Sequence, residues 1–262
     1  MSAIAASLLA AIALGSLATQ ALAWSEIPEI AKRQRAERRD FSDAEIVEGF
    51  FKTAFGAEYH LAGRVDRIRK FVGPVRVFAE SSRADRKAQL AKVVADIGAR
   101  IAHLDIAMAD GTEAANVNVT LVRDHDLDRT IAKIYGRERA REIKTSLDPQ
   151  CLSGFRKNER YEIEHSDVIL TVDSGDFVFF DCAYEELLQS LGPINDTNSV
   201  PWTMFNDKVS MGFFDLFDQY ILNILYDPRI RPGMTVEEVK AMLPEVLPNV
   251  RAFVRTSNDL PQ

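Results

Sequence analysis

Glu185 to Asp196, EELLQSLGPIND, is the stretch whose residue types and spacing come nearest to a catalytic design. A zinc-peptidase helix needs two ligands four residues apart, so that both fall on one helix face. It also needs a Glu directly after the first ligand, as general base on metal-bound water. A glycine then turns the chain so that a third ligand, three residues on, returns to the metal. Here Glu185 and Gln189 stand at the paired positions, Glu186 at the base, Gly192 at the turn, Asn195 at the third ligand and Asp196 after it. Carboxamide oxygens are poor zinc ligands and no His replaces them, so these residue types argue against zinc. The same oxygens would suit calcium or magnesium better. An amphipathic helix with a glycine stop is the plain structural alternative.

The remaining chemistry-bearing residues are scattered. His60, His103, His125 and His165 nowhere stand at ligand spacing. Asp124, Asp126 and Asp128 alternate in RDHDLDR, but the Gly and distal Glu of a calcium loop are missing. They read as carboxylates at a helix N-terminus. There is no Ser or Cys nucleophile motif and no Gly-rich phosphate loop. Cys151 and Cys182 read as a disulfide if the chain is exported, and as two buried thiols if it is not. Arg229 and Arg231, in YDPRIRPGMT, are candidate partners for Glu185 and Glu186, because two carboxylates without a metal need a cation or raised pKa values.

These residues sit in a chain of 262 residues with 47% hydrophobic content and a net charge of −7. That composition describes an ordinary globular protein and argues against nucleic-acid binding. The first 23 residues carry no charge, are rich in Ala and Leu, and end in Ala21-Leu22-Ala23, as a cleaved export leader does, although no Lys or Arg precedes the run. A membrane anchor is the alternative. Residues 24–41 form a polar entry segment. Its KRQRAERR, Lys32 to Arg39, is either a solvated helix end or a surface drawn to anionic lipid heads or an acidic partner. Residues 42–255 are expected to form one domain, with 256–262 as a tail.

Within the domain, Ser42 and Glu45 cap a helix with Ile46, Val47, Phe50 and Phe51 on one face. A strand follows at 73–80. A long helix then carries the stripe Leu90, Val93, Val94, Ile97, Ile101 and Leu104. Strands are expected in DIAMAD and ANVNVTLVRD, a short helix in DLDRTIAKIYG, and a strand or hairpin in YEIEHSDVILTVDSG. The helix bearing Glu185 comes next. Two more helices, GFFDLFDQYILNILYD and TVEEVKAMLPEVL, complete the chain. The order is that of an α+β domain with a mixed sheet and a helical C-terminal part.

Nine residues beyond Asn195 comes Met204, in SVPWTMFND. Over residues 181–206, EELLQSLGPINDTNSVPWTMF resembles the active-site helix, glycine turn and Met-turn of matrixin-type metzincins, with all three His replaced. The resemblance implies a zincin-like fold with a long backing helix and Met204 in the floor of the site. It makes Glu186 a vestigial general-base position and Glu185, Gln189 and Asn195 degenerate ligand positions. A second resemblance spans about residues 45–255. CAYEELLQSLGPINDT, PWTMFND, DQYILNILYDPRIRPGMT and LPEVLP look like a bacterial family called domain of unknown function 2927, found mainly in exported or lipoprotein-like chains. The expectation is an exported, periplasmic or extracellular domain without catalytic metal or other cofactor, acting as a binding or assembly module. Its partner would be a peptide or envelope protein in the cleft, with membrane contact only through the leader or the basic segment. The alternatives are a hydrolase with an oxygen-ligand metal site, and a structural protein whose cleft is plugged by Trp202.

Overall fold

A computed structural model describes residues 27–56, 66–80, 83–147 and 149–260. The apolar run of residues 2–23, expected as a leader, and His60 lie outside the described residues. Thirteen helices and strands of the described chain run α1 (Pro28–Ala36), α2 (Asp43–Ala54), β1 (Val75–Glu80), α3 (Ala84–Arg100), β2 (Ile106–Met108), β3 (Val117–Val122), α4 (Leu127–Tyr135), α5 (Arg137–Leu147), β4 (Cys151–Lys157), β5 (Ile163–Thr171), α6 (Asp176–Ser190), α7 (Leu216–Tyr226) and α8 (Val236–Ser257).

The sheet is mixed, in the order β2-β1-β3-β5-β4. β1, β2, β3 and β5 pair in parallel, and only β4 runs antiparallel, along β5. Alternation divides the strands between two faces. Val77, Val119, Val168 and Leu170 join the main core with α3 and α6. Leu152 and Ile169 join a smaller cluster with Leu127 and Ile131 of α4 and Ile143 of α5 on the other face. The long stripe is buried as expected. Ile101 and Leu104 remain buried although α3 ends at Arg100.

Within the polar entry segment 24–41, α1 forms and Ile30 is wholly buried in the main core. Three differences from the sequence reading have physical causes. β4 and α5 lie where no element was expected. α8 continues through Pro244 and Pro248 to Ser257. The missing Pro248 N–H would have bonded to residue 244, so the lost bond falls on a helix already interrupted there.

β4 is tied to α6 by a disulfide between Cys151 and Cys182, Cα atoms 5.8 Å apart and 31 residues apart in sequence. Closing a loop of that length stabilises by about 3–4 kcal/mol on the chain-entropy estimate. Cys151→Ser with Cys182→Ser is therefore expected to lower Tm by roughly 6–16 °C in a domain of this size. A calorimetric scan showing a shift under about 2 °C would mean that the bridge adds little.

Candidate functional site

The site is built around α6. Its N-terminus is held to α3 by Arg86, whose guanidinium meets Asp176 at 2.7 Å. Further along, the Tyr184 hydroxyl donates to Asp96 Oδ2 at 2.9 Å. The helix packs on β4 and β5, and ten of its fifteen residues are buried. That environment decides what its carboxylates can do.

Glu186 is buried, 6% exposed, and among the described residues its Oε2 has no hydrogen-bond partner. Burial pushes its pKa up to about 8, the Asp196 charge pushes the same way, and a hydrogen bond from Ser153 opposes them. Glu185 is half-buried on the same helix. Its pKa is raised well above the usual range by burial and by the charges of Glu186, Asp196, Asp181 and Asp207. Adjacent carboxyls of this kind titrate as a unit.

The two carboxamides are held on different neighbours. Gln189, 4% exposed, donates from Nε2 to Asp196 Oδ1 at 2.7 Å and accepts at Oε1 from the Ser153 hydroxyl at 3.3 Å. Asn195 donates from Nδ2 to the Lys52 carbonyl at 2.6 Å, and its backbone N–H reaches the Thr53 carbonyl at 3.3 Å. Asn195 thus satisfies carbonyls at the end of α2, which no helix bond can reach. Zinc does not fit these residues: the nitrogen ligands it prefers are missing at the three positions. No group of three or more His, Cys, Asp or Glu that could hold a metal is found among the described residues. His165 lies on β5 with Nε2 3.1 Å from Asp167 Oδ1, and His103 and His125 are exposed on turns.

Gly192 makes the turn after α6 with φ 141°, and a Cβ there would lie 2.3 Å from the Arg69 carbonyl oxygen. Only glycine allows that backbone approach. Met204 is 1% exposed and shares the main core with Leu187 and Leu188 of α6. The turn that carries it is fixed by α7. Asp218 accepts from the Thr203 hydroxyl at 2.5 Å and from the Met204 N–H at 2.8 Å. Burial raises Asp218 to about 6, against the hydrogen bonds it receives, and raises its neighbour Asp215 well above the usual carboxylate range.

Arg229 and Arg231 do not neutralise Glu185 and Glu186. Arg229 pairs with Asp227 at 2.7 Å and donates to the Glu245 carbonyl at 2.9 Å. Arg231 borders a separate hollow with Arg160 and Tyr161. The short spacing in YDPRIRPGMT makes the Asp227 pair local, and that pairing wins. Trp202 rests against Phe41, ring centroids 6.2 Å apart, and stays 37% exposed. Ser153, Asp218 and the Arg69 carbonyl hold the site together, yet none is marked by a motif. Their role follows only from which strands and helices meet.

Residues 43–245 match the model of the family DUF2927, described as a protein of unknown function. No curated protein and no solved structure matches the chain. The family model covers residues 43–245, well over half of the chain, and the chain belongs to the DUF2927 family.

Proposed function

We propose that the chain is an exported envelope domain of zincin-like architecture that has lost metal catalysis and binds an extended peptide or protein segment along β4. The observation that carries the reading is the fate of the ligand positions. The spacing of a metal-site helix is kept, while the amides of Gln189 and Asn195 are hydrogen-bonded to Asp196 and to the Lys52 carbonyl.

The architecture is supported by the element order, in which a strand, a long helix, further strands and the Glu185 helix follow one another as in a zincin domain. It is also supported by the glycine turn and the buried Met204. Export is supported by the Cys151–Cys182 disulfide, since such bridges persist in oxidising compartments. Binding is supported by β4. Among the described residues it pairs with β5 alone, so its outer edge offers backbone donors and acceptors to an incoming strand.

A test is hydrogen exchange of the protein with a degenerate library of extended peptides. Retained peptides are expected to slow exchange in residues 151–157 and to emerge uncut. Cleavage that a chelator abolishes would sink the proposal.

A further inference from the structure

A second surface, away from α6, is organised around α1. Ile30 is buried in the main core. Arg33 stacks over Phe177 at 4.9 Å and donates to the Ser210 carbonyl. That face of α1 is therefore fixed inward. Lys32 and Arg35, three residues apart, are exposed on the outer face, as is Arg39 just beyond the helix. Glu37 is turned inward and accepts from the Leu216 N–H at 2.6 Å, which leaves Asp40 as the exposed acid between residues 32 and 40.

Beside these cations stands Trp202, 37% exposed, next to exposed Pro201. The Arg38 guanidinium lies 4.5 Å from the Trp202 ring and 4.7 Å from the Phe41 ring, and binds Glu45 through two bonds of 2.8 and 3.1 Å. Arg38 so props the indole outward while its own charge is neutralised by Glu45. A hollow of about 240 Å³ is lined by Ala36 and Arg38 as well as by Pro201 and Trp202, so the indole borders the C-terminal end of α1.

We infer that this face, Lys32, Arg35 and Arg39 with Trp202, docks on an anionic phospholipid bilayer. Charge complementarity selects the occupant. The chain as a whole carries −7, yet between residues 32 and 40 Lys32, Arg35 and Arg39 are exposed against Asp40. Exposed Lys and Arg are drawn to anionic lipid, and an indole with one apolar and one polar edge sits at the headgroup level. The uncharged run of residues 2–23 ends at Ala23, five residues before α1. An apolar run engaging a bilayer would hold α1 within about 17 Å of it, the reach of five extended residues.

The test uses the full chain with Trp24→Phe, so that Trp202 is the only tryptophan. Vesicles with brominated acyl chains are made of phosphatidylcholine alone or with about one third phosphatidylglycerol. Trp202 emission is expected to shift to the blue and to be quenched on the anionic vesicles. Lys32→Glu with Arg35→Glu should weaken that binding roughly tenfold or more, and about 0.5 M salt should do the same. Quenching that is equal on neutral and anionic vesicles would overturn the inference, because the apolar run alone would then carry the contact. Absence of quenching on anionic vesicles would overturn it as well, and would point to an acidic protein as the occupant. If the double variant fails to fold, the parent's salt dependence and its preference for anionic over neutral vesicles still decide.

Discussion

Glu186→Gln is expected to stabilise the protein strongly at about pH 9 and hardly at all at about pH 4. The folded protein holds the Glu186 proton up to about 8, whereas an unfolded chain releases it near the ordinary value of 4.5. Between those two values the native state binds more protons than the unfolded state, so the Glu186 contribution falls as pH rises, by up to about 1.4 kcal/mol per pH unit. The whole window amounts to something on the order of 4 kcal/mol, and a buried amide that mimics the protonated carboxyl escapes it. Glu185, Asp215, Asp218, Asp181 and Glu37 also have raised pKa values. Parent and variant will therefore both lose stability with rising pH. The measurement is the difference between their urea midpoints across that range. A difference that stays constant with pH would show that Glu186 is ionised in the folded protein near neutrality.

Gly192→Ala is expected to be among the most damaging single substitutions. The new methyl carbon would lie 2.3 Å from the Arg69 carbonyl oxygen and 3.0 Å from Leu225 Cδ2, at a φ of 141°. Neither the carbonyl nor the core can yield cheaply, so the turn itself must move. With it go the bond from the Tyr226 hydroxyl to the Leu191 carbonyl and the Asn195 contacts to α2. The cost is put at about 3 kcal/mol or more, a fall of roughly 6–12 °C in Tm. Gly136→Ala is the control. Gly136 also has positive φ, 86°, but nothing lies within 4 Å of its added carbon. With ψ 157° it lies in a region open essentially to glycine, so it should lose about 1–3 kcal/mol from backbone strain alone. Equal losses at the two sites would show that close approach at Gly192 adds nothing.

The helices that bury an apolar stripe were legible. The capping boxes Ser42–Glu45 and Thr235–Glu238 form as their spacing implies, and the α3 stripe is buried. α5 was not legible, because RERAREIKTSL is mostly charged and contributes little beyond Ile143 to the core. β4 escaped for a different reason. CLSGFRK is an edge strand with Gly154 at its centre, and the space above that glycine is taken by the Tyr135 hydroxyl of α4, 2.8 Å from where a Cβ would be. No alternation in the strand itself records that contact. At the candidate site, the spacing of Glu185, Glu186, Gln189, Gly192, Asn195 and Met204 could be read along the chain. What each side chain touches could not. The Lys52 carbonyl lies 143 residues before Asn195, and Ser153 lies 36 before Gln189. Arg229 shows the converse, since a partner two residues away outcompetes the distant carboxylates that the lost metal charge had suggested.

Metal content measured on protein purified without chelator decides most directly whether the metal has been lost. Far less than one zinc per chain is expected, because the positions that would hold it carry a carboxyl and two amides already bonded to the protein. One equivalent of zinc, lost on chelation and regained on adding the metal, would contradict it.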